Sequence, residues 1–223
     1  MLASIGIVKG QPFEPSERQQ ELLLKAVETA PKMILASKQL GRADGRNLYY
    51  DDRQYERAWA AATAEWMQET YLDIDQRAGF FQYAYSSAPA MVQRSIGAGS
   101  KYPYTLRDAD GNFLDGSNTY RMHLPANPPV ALFWAVTAYN LTDGTMPETE
   151  QLLPSTNSYY DVAKNEDGSI DIWFAPEQPE DVADTNFIQT IPGRNFMAIL
   201  RLYGAEIEFY DQSWKPDDLV KVE

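Results

Sequence analysis

Thr119-Tyr120-Arg121-Met122-His123-Leu124 alternates polar and apolar side chains, and Val130-Ala131-Leu132-Phe133-Trp134-Ala135-Val136-Thr137-Ala138-Tyr139 follows as a β-branched and aromatic run. Period two is the signature of a half-buried strand, so Tyr120, Met122 and Leu124 share one face and Arg121 and His123 share the other. Reading outward, Asn118–Leu124 and Val130–Tyr139 are joined as predicted strands by Tyr102–Arg107, Ile170–Ala175, Phe196–Tyr203 and Glu206–Tyr210, with weaker candidates near 151–160 and 185–190. Asp110-Gly111 and Asp167-Gly168 fall between such runs and signal hairpin turns. Short strands at this spacing predict a sandwich, jelly roll or barrel.

The chain before Ser100 is patterned differently. Ser16 and Gln19 stand at capping-box spacing ahead of an apolar stripe, Leu23, Val27, Ala30 and Ile34, which predicts a helix that Pro31 should kink or end. Leu40 to Glu56 reads as a loop, Arg57 to Thr70 as a second helix, and a third is expected after Asp73 or Asp75 with Ala78, Phe81 and Tyr85 on one face. Gly97-Ala98-Gly99-Ser100-Lys101 lacks P-loop spacing and reads as a hinge. The expected organisation is therefore a helical segment over 1–100 and a β-sandwich over 101–223, an α+β chain.

Charge divides at the same place. Of the 19 bases and 32 acids in 223 residues, the first 100 residues hold 11 and 12, so all but one unit of the net charge of −13 belongs to the β part. Eleven acids and one base, Lys164, lie between Asp143 and Asp184. Solvated acidic loops are the reading preferred over a weak cation surface or a dock for a basic partner. Nucleic acid is a poor partner for such a chain. No apolar run reaches the roughly 18 residues of a membrane span, and Met1–Phe13 lacks the charged start and long apolar stretch of a signal peptide, so no membrane insertion is expected.

With no Cys and a single His, disulfides, thiolate chemistry and multi-His metal centres are excluded, and no cofactor or metal is expected. Asp108-Ala109-Asp110-Gly111-Asn112 opens like a calcium loop, but its twelfth position is Thr119 rather than Glu, so a hairpin turn is preferred. The residues left to carry chemistry are His123, as acid or base, and Arg121 beside it, as an anion clamp. Tyr139, Trp134 and Arg201 are the candidate ligand-binding helpers. Asp171 is placed by alternation on an outer face, and the aromatics near Trp134 and Trp173 are read as core before groove.

Thr119 through Val130, with Pro125-Ala126-Asn127-Pro128-Pro129 between the strands, and Phe133-Trp134-Ala135-Val136-Thr137-Ala138-Tyr139 together resemble the core signature of the family called domain of unknown function 1214. Asn165-Glu166-Asp167-Gly168-Ser169-Ile170, Ile191-Pro192-Gly193, Phe196 through Gly204 and Trp214-Lys215-Pro216 continue the likeness in order, over about residues 102 to 216. Asn140 and Phe187 depart from it, where the family favours Asp and Trp. The helical stretch is similar to the connector to an upstream partner, domain of unknown function 1254. The resemblance implies a jelly-roll-like antiparallel β-sandwich, a chain about twice as long behind an export signal and hence an exported or periplasmic setting, and no established activity.

The function expected from these readings is an oligomer-forming or ligand-binding module, its partner a second copy or the missing upstream domain. The alternative is a small-molecule hydrolase or isomerase that uses His123 and Arg121.

Overall fold

The computed structural model describes residues 2–43, 45–59, 63–80 and 87–222. After a 3₁₀ turn at Leu2–Ile5, helix α1 spans Glu17–Ala43, α2 Ile74–Phe80 and α3 Pro89–Val92. Strands β1 (Ser100–Lys101), β2 (Tyr104–Thr105), β3 (Thr119–Leu124), β4 (Val130–Asn140), β5 (Ser155–Asn157), β6 (Ile170–Ala175), β7 (Phe187–Gln189), β8 (Phe196–Ala205) and β9 (Val220–Val222) follow, with helix α4 (Ile207–Tyr210) before the last.

The strands form two sheets. In one, β1 and β2 pair with β8, β8 with β4, and β4 with β5; in the other the order is β7-β6-β3-β9. All pairs are antiparallel except β6 with β7, which run parallel. The inward positions follow the alternation of the sequence: Tyr120, Met122 and Leu124 meet Ile170, Ile172 and Phe174 from one sheet and Trp134, Val136, Ala198, Leu200 and Leu202 from the other in one buried cluster. Burying a large apolar side chain contributes roughly 1.5–3 kcal/mol, which fixes the register, since a one-residue slip would turn each of these side chains to solvent.

The helical part reaches into that core. Tyr50 and Tyr55 belong to the same cluster. At the start of α1 the capping box forms as predicted: Ser16 N–H donates to Gln19 Oε1 at 2.9 Å, and Gln19 N–H to Ser16 Oγ at 3.3 Å. Pro31 does not end the helix, which runs on to Ala43 and so takes the first residues of the expected loop. At its far end Arg42 ion-pairs with the buried Glu56 at 2.8 Å, and Glu56 exchanges backbone hydrogen bonds with Tyr104.

Three expectations need correction. The described residues of 57–70 form turns and a bridge rather than a helix, built around Trp59 and Trp66, which stack on each other at 4.4 Å with the Phe80 ring tilted against both. Glu206–Tyr210 is no strand: after Gly204, whose φ is +68°, the chain closes into α4 and buries Phe209. Gly97–Lys101 is not only a hinge, because Ser100–Lys101 pairs with β8. The third helix starts at Ile74 as expected, while Phe81 and Tyr85 lie outside the described residues. No helix among the described residues is long and apolar enough to cross a membrane.

Candidate functional site

Arg121 and His123 face outward from β3, and the β3–β6 register sets Asp171 directly opposite His123. His123 Nδ1 lies 2.7 Å from Asp171 Oδ1, and Arg121 Nη1 lies 3.8 Å from Asp171 Oδ2. Asn165 Nδ2 donates to the same Oδ2 at 3.2 Å. With the carboxylate accepting at Nδ1, the imidazole presents Nε2 as its second nitrogen, available to take or give a proton.

Two walls enclose this group. The first is the turn 165–169: Asn165 N–H bonds the Ser169 carbonyl, Gly168 takes φ +83°, and Asp167 Oδ1 accepts from Ser169 N–H and Oγ–H at 2.9 and 2.6 Å. Those bonds, the Ser169 hydroxyl first, hold the Asp167 carboxyl below its ordinary range. The turn is stapled from below by the buried Asn186. Its amide donates to the Asp171 and Ala163 carbonyls at 2.8 and 3.0 Å and accepts from Ala163 N–H at 2.8 Å.

The second wall comes from the C-terminus. Asp217 N–H donates to the His123 carbonyl at 3.0 Å, and Asp218 Oδ1 accepts from Gln54 N–H at 2.7 Å. Tyr55 Oη–H donates to the Asp217 carbonyl, and Lys215 reaches Asp52 at 2.9 Å, so the segment 52–55 positions this wall. Burial pushes the Asp218 carboxyl up, against the opposing pull of the Gln54 N–H. Together the walls and sheet enclose an open cleft of about 620 Å³ lined by Arg121, His123, Ser169, Asp171, Asp217 and Asp218. It is large enough for a small-molecule ligand.

The other candidates lie on the opposite sheet. Trp134 is 3% exposed in the core, and Tyr139 and Arg201 point away from it, hydrogen-bonded to each other. Arg121 and His123 are thus brought together, while Tyr139 and Arg201 form a separate pair. Asp171, Asn165, Asp217 and Asp218 also line the cleft, and nothing in the sequence pattern marks them as members of it. For Asp171 the alternation gave the face, and only the pairing of β3 with β6 supplies the neighbour. In the Asp108 turn, the carboxylate accepts from the N–H groups of Asp110 and Asn112, as a turn requires.

Residues 99–207 match the model of a family described as "Protein of unknown function (DUF1214)". Among solved structures, the VPA0106 protein of Vibrio parahaemolyticus is similar at 21% identity and a TM-score of 0.53, over 99% of this chain and 49% of that one. The chain therefore spans about half the length of the Vibrio protein, and the likeness shows the fold. An uncharacterized protein from Burkholderia cenocepacia is similar at 17% identity and a TM-score of 0.45, over 67% of this chain and 40% of that one. No curated protein matches.

Proposed function

We propose, for a chain that carries a DUF1214 domain over residues 99–207, that it is a ligand-binding module whose site is the cleft around His123. The observation that carries this reading is the cross-strand pair of His123 and Asp171 on the floor of an open cleft of about 620 Å³, with Arg121 alongside. A polar sheet face that served only solubility would have no need of a wall built from residues 217–218 and held by the segment 52–55. The arrangement of the sheets is read as jelly-roll-like, in line with the family resemblance.

Acid–base chemistry is the second reading, favoured by the His123–Asp171 hydrogen bond and by the raised Asp218 carboxyl in the same cleft. The single His gives a clean test of both. A library of small metabolites is screened by the imidazole NMR signals of His123. Compounds that shift them, and lose affinity with Arg121→Ala, support the module; compounds consumed by the protein but not by His123→Ala support catalysis. A library that leaves the imidazole signals unmoved overturns both.

Assembly is a separate property, supported by the exposure of Leu24 and Val27, which lie one turn apart on the same face of α1, at 67% and 72%. We read this face as covered by a second copy or by an upstream domain. Light scattering at micromolar concentration distinguishes an oligomer from a monomer.

A further inference from the structure

Trp173 differs from the other four tryptophans. Trp59 and Trp66 stack on each other, Trp134 is sealed in the core, and Trp214 donates its indole N–H to the Pro125 carbonyl at 3.2 Å. Trp173 is half-buried on the outer face of β6, and among the described residues its indole has no ring partner, no cation over it and no hydrogen bond. It lines a second lobe of about 450 Å³, with Lys164, Glu180 and Val182, and this lobe meets the His123 cleft at Asn165 and Asp171. Asp171 and Trp173 are two residues apart on one strand face, and Trp173 stands opposite Arg121 in the β3–β6 register.

An elongated binding surface results. At one end an indole is open to contact. Next to it stand donors and acceptors in close alternation: the Arg121 guanidinium, the His123 ring, the Asn165 amide and the Asp171 carboxylate. A pyranose has this duality, since its axial C–H face is apolar and packs flat on an indole, while its vicinal hydroxyls donate to carboxylates and accept from guanidinium and amide groups. The carboxylates of Glu166, Asp167, Asp217 and Asp218 repel phosphate and sugar acids from the same surface.

Resting on the cleft reading above, we propose that the two lobes form one carbohydrate-binding site for an uncharged oligosaccharide, with one sugar ring on Trp173 and the next hydrogen-bonded by Arg121, Asn165 and Asp171.

The test titrates the full chain with cellotriose, maltotriose and N,N′,N″-triacetylchitotriose, and with spermidine as a cation without hydroxyls. Tryptophan fluorescence and the His123 imidazole NMR signals are followed together. The expected result is that at least one trisaccharide moves both signals. Its affinity should fall at least tenfold with Trp173→Ala and with Asp171→Ala, and be largely retained with Trp173→Phe, which keeps a ring; circular dichroism checks that each variant is folded. A trisaccharide affinity unchanged by Trp173→Ala overturns the proposal. So does binding of spermidine with no trisaccharide bound, which keeps the cleft as a binding site but removes the sugar. If no probe, and no compound of the metabolite library, moves the imidazole, the cleft reading falls with it.

Discussion

His123 and Asp171 are 48 residues apart in sequence and directly opposed in the β3–β6 ladder, with Nδ1 2.7 Å from Oδ1. The carboxylate can only accept, so it fixes the neutral imidazole as the Nδ1–H tautomer. Asp171→Leu removes the acceptor and returns the ring to the Nε2–H form that free imidazole side chains favour. Nitrogen-15 shifts of the single imidazole at neutral pH read this directly. The pair is partly exposed, at 30% and 20%, so its loss should lower stability by no more than about 1 kcal/mol. An unchanged tautomer in Asp171→Leu would show that the hydrogen bond does not hold the ring.

Asn186 ties the turn before β6 to the strand through three hydrogen bonds of 2.8–3.0 Å, made to Ala163 and to the Asp171 carbonyl. Asn186→Leu keeps the volume and strands those backbone groups. Ala163 is exposed and Asp171 half-buried, so water reaches the freed groups and each lost hydrogen bond costs about 1 kcal/mol net; a total loss of about 3 kcal/mol is expected, together with faster hydrogen exchange at the Ala163 amide. Thermal melting and exchange rates check the two parts, and protection of that amide at its original level would contradict the staple.

The Asp218 carboxyl is raised from its ordinary value of 3.8, chiefly by burial. A group raised on folding contributes stability that is complete below its unfolded value and is lost as pH rises through its folded one. Asp218→Asn keeps an acceptor for Gln54 N–H and cannot ionise. Its melting temperature relative to the parent should therefore climb as pH goes from about 3 to about 7. Asp167, lowered chiefly by the Ser169 hydroxyl, has the opposite sign: it contributes stability above its ordinary value and loses it on acidification. A melting difference between Asp218→Asn and parent that stays flat with pH would contradict the assigned direction.

These expectations separate what periodicity can and cannot tell. Alternation places Arg121 and His123 outside and Met122 inside, and Ile170–Ala175 is a strand over the range read from sequence. Periodicity assigns faces but not partners, so it cannot bring Asp171 to His123 or Asp217 and Asp218 to the cleft rim; that needs the sheet order and the clamp from Gln54 and Tyr55. It also misreads Glu206–Tyr210, whose alternation suits a strand, because the chain leaves β8 after Ala205 and closes into α4, a change of backbone geometry that alternation does not register. Pro31 reads as a helix breaker, yet α1 passes through it, since the helix's length and its Arg42–Glu56 anchor outweigh one missing N–H.

Gly116 gives the sharpest packing prediction. A Cβ built there lies 2.3 Å from the Ile191 carbonyl oxygen and 3.0 Å from that of Arg194, both backbone atoms that cannot swing aside. The position is also pinned by its own bonds: Gly116 N–H donates to Arg194 O at 2.9 Å, and its carbonyl accepts from the buried Thr190 hydroxyl at 2.8 Å. Gly116→Ala must separate the loop before β3 from the loop before β8, breaking these bonds or straining the Asp115–Asn195 bridge beside them. Gly111→Ala is the control, because Gly111 has φ +83° and open space around its Cβ position. It should lose only the left-handed backbone penalty of about 1–2 kcal/mol, whereas Gly116→Ala adds overpacking at the upper end of about 1–3 kcal/mol to two compromised buried hydrogen bonds. Chemical denaturation of the two variants side by side decides it. If Gly116→Ala is no less stable than Gly111→Ala, the close approach of the two loops does not constrain this fold.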